Sequence, residues 1–279
     1  MPELPEVETI ARSLRPGLVG QRIEGIEARW PKSLRPSVQR VTQGCVGREI
    51  LGVGRRGKHL ILHLSDHGYL IVHLRMSGRF EWVEPGGDEP RHARTLWRLS
   101  DGRSLAMDDA RKFGTVTWSD DPAITLAQLG PEPLGSAFTP ERFAIMLATR
   151  RRALKPLLLD QHFLAGLGNI YVDESLFRSG LHPLRSASSV GPEAVPVLHG
   201  HIQEVLVEAI DNCGTSIDWI YPQGRMQSYL RVYGRAGEPC VTCGTTIERL
   251  VVAQRGTWIC PACQPYSSIP KPPAHQGRS

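Results

Sequence analysis

Four cysteines near the C-terminus constrain the fold more than any other feature of this 279-residue sequence. They form two pairs, Cys240-x-x-Cys243 and Cys260-x-x-Cys263, with sixteen residues between the pairs. The two-residue spacing lets both thiolates of each pair reach one tetrahedral zinc ion. Disulfide pairing is the alternative, but nothing in the sequence suggests export to an oxidising compartment. We therefore predict one structural Zn²⁺ per chain, with all four cysteines as its ligands.

The segment between the pairs, "TTIERLVVAQRGTWI", predicts two strands joined by a turn at Gln254-Arg255-Gly256. Zinc would then clamp one end of a hairpin, and Arg255 would stand at the opposite tip. A fixed arginine on a projecting hairpin suits a phosphate ligand. A solvated turn residue is the equal alternative. The other two cysteines, Cys45 and Cys213, have no such partners and are expected in the core.

The opening "MPELPEVETI" combines an ordinary helix start with two residues that a helix does not explain. Pro5 suits a first helical turn, and Glu6 and Glu8 suit its positive end. Removal of the initiator methionine would leave Pro2 with a free secondary amine. Since an α-amino group has a pKa of roughly 7.7 to 8.0, part of it would be unprotonated near neutral pH. Pro2 is thus a candidate nucleophile with Glu3 beside it, unless both are merely leader residues.

Composition and charge limit the class of protein more weakly. An apolar share of 41% can fill a core, and a net charge of +5 suits a polyanionic partner. Two compact basic clusters, "GRRGK" at 54–58 and "TRRRALK" at 149–155, fit phosphate contact and a solvated surface equally well. No segment approaches eighteen uninterrupted apolar residues, and the acidic N-terminus lacks the pattern of a signal peptide. We expect a cytoplasmic protein without membrane segments.

The order of strand and helix patterns predicts more than one domain. Residues 21–118 read as strands, with hairpin signals at "SDHG" and "SDG", and predict a sandwich or flattened barrel. A segment rich in proline and glycine, "LGPEPLGSAFTPERF", marks a boundary. Residues 140–230 then read as helices, including "PERFAIMLATR", "RALKPLLLDQHFL" and "NIYVDESLFRSG". The final residues are rich in proline and small polar side chains and are expected to be a flexible tail.

Several motifs occur together over nearly the whole of residues 1–264: "MPELPEVET", "GRRGK", "HLRMSGRF", "DDARKFG", "LGPEPL", "GLGNIYVDE", "VYGRAGEPC" and "AQRGTWICPACQ". In this order they resemble the bacterial formamidopyrimidine-DNA glycosylases, relatives of endonuclease VIII. The resemblance implies a multidomain α+β fold with an N-terminal β-sandwich, a helix-two-turn-helix domain and a C-terminal β-hairpin zinc finger. The predicted division is 1–134 for the catalytic sandwich, 135–230 for the helical DNA-binding domain, 231–264 for the finger and 265–279 for the tail.

The resemblance also implies a bifunctional enzyme of base excision repair. Such an enzyme excises oxidised purines, notably 8-oxoguanine and formamidopyrimidines, and then cuts the abasic strand by β,δ-elimination. Pro2 would attack C1′ of the damaged nucleotide, and Glu3 would transfer protons during base loss. Lys58 matches a lysine assigned to proton donation or phosphate contact. Arg255 matches the finger arginine at the lesion phosphate, and we group these four as catalytic.

Damaged double-stranded DNA is the implied partner, bound by a monomer in the bacterial cytosol or nucleoid. Because a duplex hides its bases, the enzyme must extrude the nucleotide and fill the gap. Met76, Arg111 and Phe113 match the residues that fill this gap in the family, although Met76 and Phe113 would otherwise be assigned to the core. Further implied DNA contacts are His92, Arg150 and Asn169. Asn169 follows "GLG" and opens a helix whose amides favour an anion, or else it is an ordinary helix cap.

One segment departs from the family. "SIDWIYPQGRMQSYLRVYG" is several residues shorter than expected and lacks a Gly-x-Phe-Gln-like stretch. This region includes the loop that closes over the extruded base, so it bears directly on base preference. Two alternatives therefore stand beside the main prediction: an endonuclease VIII-like preference for oxidised pyrimidines, and a zinc-ribbon DNA-binding protein without catalysis.

Overall fold

The computed structural model describes residues 1–216 and 224–266, beginning with a helix where the sequence predicts one. This helix, Leu4–Leu18 (α1), has proline in its first turn, as expected. The Glu3 backbone N–H donates to Glu6 Oε2 at 2.8 Å, so Glu6 satisfies a free amide at the helix start. Apolar residues spaced three and four apart form a buried stripe along the helix, which begins at Leu4 and ends at Leu18.

The predicted β-rich region forms two sheets that enclose an apolar core. One sheet has the antiparallel order β1-β7-β8-β6, and the other has the order β2-β9-β5-β4-β3, in which only the β2–β9 pair is parallel. The strands are Ile23–Ala28 (β1), Leu34–Arg35 (β2), Ile50–Arg56 (β3), His59–Leu64 (β4), Gly68–His73 (β5), Arg79–Val83 (β6), Ala93–Leu99 (β7), Ser104–Asp108 (β8) and Thr115–Ser119 (β9). A short helix, Val38–Cys45 (α2), packs beside them.

Both predicted hairpins are confirmed. Strands β4 and β5 pair with Leu64 opposite Gly68, and the connection passes through Asp66 and His67, which both have positive φ. Three residues, 65–67, join this last pair, and the short connection keeps the two strands in register. Strands β7 and β8 pair around the second signal. The hairpins place His59 and His73 at one end of the larger sheet and Leu64 at the other.

The helical region follows β9 and a short connecting helix. The helices are Pro122–Thr125 (α3), Pro140–Ala148 (α4), Leu154–Leu158 (α5), Asn169–Arg178 (α6) and Ala194–Asp211 (α7), and 3₁₀ turns cover Pro31–Ser33, Ala187–Ser189 and Met226–Tyr229. The helix expected over "RALKPLLLDQHFL" is shorter than predicted. It stops at Leu158 because the Asp160 carboxylate accepts the His162 backbone N–H at 3.0 Å and turns the chain.

The finger is a hairpin of Glu248–Val252 (β10) and Arg255–Ile259 (β11). Its turn consists of Ala253 and Gln254, both with positive φ, so the predicted turn at 254–256 is displaced. Val252 pairs with Arg255, which makes Arg255 the first residue of β11. The finger has its own small apolar cluster, to which Phe177 of α6 contributes.

Helix α1 connects the two large cores. Leu4 belongs to the apolar cluster of the helical region, whereas Val7 and the rest of the stripe belong to the sandwich core. The N-terminus therefore lies at the junction of the two regions. None of the helices within 1–216 and 224–266 combines the length and the hydropathy needed to cross a bilayer. The division at residues 134 and 230 stays a prediction.

Candidate active site and nucleic-acid interface

The N-terminus is held against the first turn of α6 by the carboxylate of Glu3. Glu3 Oε2 accepts the Gly168 N–H at 2.7 Å, and Oε1 accepts the Ile170 N–H at 3.0 Å. These amides are the free donors of a helix N-terminus, where a negative charge is favourable. The sequence predicted an anion at this helix start, and in the structure that anion is Glu3. A phosphate contact by Asn169 stays a prediction.

Glycines allow the N-terminus to approach so closely. A Cβ on Gly168 would lie 2.2 Å from Glu3 Cδ, and a Cβ on Gly166 would lie 2.7 Å from Leu4 Cδ1. Gly166 also has φ +93°, and its carbonyl accepts the Leu4 N–H at 3.0 Å. Pro2 is buried directly before this contact. The "GLG" motif thus receives Glu3 and Leu4 of the same chain.

Burial changes the acidity of both titratable groups at this position. Burial raises the pKa of Glu3, and the Lys58 ammonium and two backbone amides oppose that rise. Burial lowers the pKa of Lys58, which is only 5% exposed, and Arg255 lowers it further, while Glu3 and Glu6 oppose the change. A carboxyl with a raised pKa beside an amine with a lowered pKa is suited to proton transfer.

A second buried carboxylate ties α1 to the helical region. Glu6 Oε1 accepts the Tyr171 hydroxyl at 2.5 Å and the Thr215 N–H at 2.8 Å. Burial raises the pKa of Tyr171 well above its usual value, and the nearby Glu6 and Glu3 raise it further. Sequence reasoning assigned Glu6 only to the helix end, because its partners are 165 and 209 residues away.

Lys58 is placed by the turn between β3 and β4. The Gly57 N–H donates to Glu132 Oε1 at 2.5 Å, and the Arg55 and Arg56 guanidinium groups contact the same carboxylate at 2.8 and 2.7 Å. Glu132 belongs to the "LGPEPL" segment, which was predicted only as a boundary and a family motif. The "GRRGK" cluster is therefore partly neutralised inside the protein rather than wholly available to phosphate.

The finger hairpin is anchored to α5 and α6 next to Arg255. The Gly256 carbonyl accepts Lys155 Nζ and Asn169 Nδ2, each at 3.0 Å. Lys155 Nζ also lies 2.7 Å from Asp173 Oδ1, and both side chains are buried. Asp173 Oδ2 accepts the N–H of Trp258 on β11 at 3.1 Å. Arg255 itself is exposed, so these contacts fix its backbone and leave its guanidinium free to reach outward.

Sequence reasoning missed the anchoring role of Lys155 and Asp173. Lys155 was counted in a basic cluster, yet it is fully buried, and Asp173 is buried beside it. The available signal was position: Lys155 lies among leucines in "ALKPLLL", and Asp173 directly follows an apolar run, residues 170–172 of α6. A charged residue in such a run is expected to need a buried partner.

The four predicted zinc ligands come together at the base of the finger. All four Sγ atoms lie within 4.8 Å of one another. The Cys243–Cys260, Cys243–Cys263 and Cys240–Cys263 separations are 3.5, 3.5 and 3.9 Å. Ligands at about 2.3 Å from a tetrahedral zinc are about 3.8 Å apart, whereas a disulfide needs about 2.0 Å. The cluster fits one structural Zn²⁺ and does not fit disulfides.

The three predicted gap-filling residues are surface residues. Met76 is 43% exposed and Phe113 is 52% exposed, so the alternative assignment to the core is wrong. Met76 lies in the loop after β5. Arg111 and Phe113 lie in the loop after β8, where the guanidinium stands 5.1 Å from the phenyl centroid. His92 is fixed beside the loop after β8, because its backbone N–H donates to Asp108 Oδ1 at 2.8 Å.

Arg150 and the shortened segment are two predicted features that are not connected to the site residues described above. Arg150 is exposed on the loop after α4, and in the described part of the chain it shares no hydrogen bond or ion pair with the other predicted site residues. The core of the short segment that departs from the family, residues 217–223, lies outside the described residues, as does most of the predicted tail.

Family profiles match three successive parts of the chain. The formamidopyrimidine-DNA glycosylase N-terminal domain matches residues 1–116, and the formamidopyrimidine-DNA glycosylase H2TH domain matches residues 129–219. The zinc finger found in FPG and IleRS matches residues 237–265. Together these matches cover most of the sequence in the order of the three structural regions.

Full-length relatives agree with the profiles. The formamidopyrimidine-DNA glycosylase of Chloroflexus aurantiacus is 47% identical over 95% of this chain and 98% of its own length. The solved structure of MutM in complex with carbocyclic 8-oxo-G containing DNA has a TM-score of 0.90 and 38% identity, covering 95% of this chain and 100% of that chain. The Lactococcus lactis FPG structure with FAPY-dG containing DNA has a TM-score of 0.89 and 37% identity, covering 94% and 100%.

Proposed function

Because the chain belongs to the formamidopyrimidine-DNA glycosylase family, we propose that it is a bifunctional DNA glycosylase and abasic-site lyase that removes oxidised purines. The observation that carries the proposal is the junction at the N-terminus. There, buried Pro2 precedes a carboxyl with a raised pKa, and a lysine with a lowered pKa stands nearby. The solved relatives bound to carbocyclic 8-oxo-G and FAPY-dG DNA support the purine assignment.

In the first step, the secondary amine of mature Pro2 attacks C1′ of the damaged nucleotide. The glycosidic bond breaks, and the base leaves with the electron pair of that bond. Opening of the sugar ring then gives a covalent iminium between the proline nitrogen and C1′. Burial raises the pKa of Glu3, so this carboxyl holds its proton to a higher pH than an ordinary carboxyl does. It can therefore deliver that proton to a leaving nitrogen or to the ring oxygen.

In the second step, the iminium acidifies the hydrogen on C2′. A base removes this proton, and the electron pair expels the 3′ phosphate by β-elimination. A second elimination releases the 5′ phosphate. Lys58, whose pKa burial lowers, is the residue that we assign to proton transfer in this step. Arg255, held on β11 by the Lys155 and Asn169 contacts to Gly256, would bind the phosphate at the lesion.

The remaining assigned residues would bind and open the duplex. Met76, Arg111 and Phe113 are exposed on neighbouring loops and would fill the gap left by the extruded nucleotide. His92, Arg150 and Asn169 would contact DNA. The zinc ion, held by four thiolates, keeps the finger folded and takes no part in the reaction. We further propose that the protein acts as a monomer in the bacterial cytosol or nucleoid, since the relatives are bacterial proteins.

The decisive experiment is trapping with borohydride. We expect native protein on 8-oxoguanine duplex to give a reduced adduct of one chain and one strand, which maps to Pro2. A form with one extra residue before Pro2 should give none, because its proline nitrogen is an amide. Glu3→Gln keeps the amine and should trap a preformed abasic site while excising poorly. Absence of an adduct with native protein would favour a non-catalytic DNA-binding protein, and an adduct at Lys58 would move the nucleophile.

A comparison of excision rates decides the substrate class. Single-turnover excision should be faster on 8-oxoguanine opposite cytosine than on a thymine glycol duplex. Faster excision of thymine glycol would replace the purine assignment with an endonuclease VIII-like preference. This comparison is needed because residues 217–223, which belong to the shortened segment, lie outside the described structure.

A further inference from the structure

Asp109 lies where the two loops that carry the gap-filling residues meet. Its side chain is 1% exposed. Oδ1 accepts the Ser77 hydroxyl at 2.5 Å and the Arg111 N–H at 3.2 Å, and Oδ2 accepts the Gly114 N–H at 2.7 Å. Ser77 directly follows Met76, whereas Arg111 and Gly114 flank the tip that carries Phe113. One buried carboxylate thus bonds to both loops.

The first loop, residues 74–78, has a tight shape. The Gly78 N–H donates to the Leu74 carbonyl at 3.0 Å, and a Cβ on Gly78 would lie 2.6 Å from that oxygen. Arg75 has φ +57°, which costs energy for a residue with a side chain. Met76 projects from this turn into solvent, and the hydroxyl of Ser77 connects the turn to β8 through Asp109.

The second loop, residues 109–114, is closed by the same carboxylate. Arg94 Nε donates to the Asp109 carbonyl at 2.8 Å, and Lys112, with φ +61°, stands 4.5 Å from the ring centroid of Trp30. A Cβ on Gly114 would lie 3.2 Å from Asp109 Oδ2, which makes glycine the best fit at that position. These contacts leave Arg111 and Phe113 exposed at a defined tip.

We propose that Asp109 is a positioning residue which, through Ser77, locks the Met76 loop and the Arg111–Phe113 loop into one wedge. The wedge has to occupy the gap in the base stack while the nucleotide is outside the helix. Two loops that moved independently would fill that gap only part of the time. The carboxylate makes their relative position a property of the folded protein, established before DNA binds. This inference rests on the proposed function and adds a specific device to it.

Ser77→Ala is the sharpest test, because it removes the link between the loops and leaves the Asp109 bonds to Arg111 and Gly114. Ser119→Ala is the matched control. The Ser119 hydroxyl is likewise in a part-buried hydrogen bond to a side chain, Thr125 Oγ1 at 2.7 Å, but it lies at the opposite end of β9 from the wedge loops. A misplaced group can cost about 10- to 100-fold in rate. We expect a loss in this range for duplex excision by Ser77→Ala and less than about 2-fold for the control.

A merely structural role would affect all activities alike, so two further readouts are needed. Cleavage of a preformed abasic site should change less than duplex excision, because no base has to be extruded. The fluorescence of 2-aminopurine placed beside the lesion, which reports on base stacking, should rise more slowly or less completely in Ser77→Ala than in native protein. Equal losses on both substrates, or a Ser77→Ala protein indistinguishable from Ser119→Ala, would overturn the proposal.

Double-mutant cycles test the coupling directly. In native protein, Met76→Ala and Phe113→Ala should be non-additive in duplex excision, since both residues act as one wedge. In a Ser77→Ala background the two changes should become additive, and additivity already in native protein would contradict the inference. Failure of the proposed function would look different, because the native protein would then excise nothing and no cycle could be measured.

Discussion

At the scale of single residues, two histidines show how strongly burial controls charge in the sandwich. His59 and His73 meet edge to face, with ring centroids 4.6 Å apart. Burial lowers the pKa of His59 to about 4 and that of His73 to about 3. Positive charges at Arg75 and Lys58 contribute to both of these lowered pKa values. His59 Nδ1 is buried and has no hydrogen-bond partner among residues 1–216 and 224–266. Both rings are therefore neutral in the folded protein at physiological pH.

This arrangement predicts loss of stability in mild acid. The unfolded chain takes up protons below its ordinary histidine pKa of about 6.5, whereas the folded chain takes them up only near pH 4 and pH 3. The stabilising contribution is thus fully present above pH 6.5 and falls as pH decreases toward 4. Each histidine contributes a slope of up to about 1.4 kcal/mol per pH unit. Urea unfolding between pH 7.5 and pH 4.5 measures the slope.

His59→Phe should remove about half of that slope and should not lower stability at neutral pH, because it eliminates an unpaired buried nitrogen. His67→Asn is the control, since His67 is exposed and asparagine tolerates its positive φ. The two variants should differ in slope by about 1 kcal/mol per pH unit. A His59→Phe protein with the native slope would refute this account.

At the scale of secondary-structure elements, the finger hairpin depends on contacts at both ends. At the end of the hairpin opposite the turn, the four cysteines would be held together by zinc. Near the turn, Lys155, Asn169 and Asp173 bond to the backbone of β11. Removing one partner of the buried Lys155–Asp173 pair would leave a charge uncompensated. Arg255 is thus positioned by elements distant in sequence, and its proposed phosphate contact requires the whole finger.

We expect Cys260→Ser to lose the zinc ion and to bind lesion DNA more weakly, because the finger would no longer hold Arg255 in place. Metal content by mass spectrometry and fluorescence anisotropy with 8-oxoguanine duplex measure the two effects. Cys213→Ser is the control, since Cys213 is outside the four-cysteine cluster and should leave one zinc per chain. Full DNA affinity in a demonstrably zinc-free protein would contradict the positioning role of the finger.

At the scale of the whole molecule, the proposed active site depends on α1 belonging to two cores. Leu4 packs into the helical region while Val7 packs into the sandwich, and Glu3 and Glu6 bond to α6 and to Thr215. Pro2, Glu3 and Lys58, to which we assign the chemistry, therefore lie at the junction between regions. Relative movement of the two regions would disturb the chemistry as well as DNA binding.

Tyr171→Phe tests this junction. It removes the hydroxyl that bonds to buried Glu6, which should cost about 1 to 3 kcal/mol of unfolding free energy. Because α6 also holds Glu3, duplex excision should fall by more than the change in folded population explains. Tyr69→Phe, a partly exposed tyrosine on β5, is the control and should be within about 0.5 kcal/mol of native. Native stability in Tyr171→Phe would show that the junction does not depend on this bond.

Local patterns in the sequence were sufficient to predict the types of the elements. Alternating apolar residues and turn signals predicted the β4–β5 and β7–β8 hairpins, and cysteine spacing predicted the zinc cluster. Errors arose where side chains redirected the backbone. Asp160 ended α5 early, and the turn at Ala253–Gln254 shifted Arg255 into a strand. The roles of the site residues stay predictions from family resemblance.

The sequence alone determined the features of this protein that depend on residues close together in the chain. A helix start, the alternation of a strand and a two-residue cysteine spacing each involve only a few consecutive residues, so the sequence is sufficient to predict them. Tertiary structure determined the partners of the charged groups: Glu3 with α6, Glu132 with the turn before Lys58, Lys155 with Asp173, and Asp109 with two loops. The partners of Glu3 and Glu132 are more than 70 residues away. Burial then sets the pKa values, and burial is a property of the packed molecule that no short segment contains.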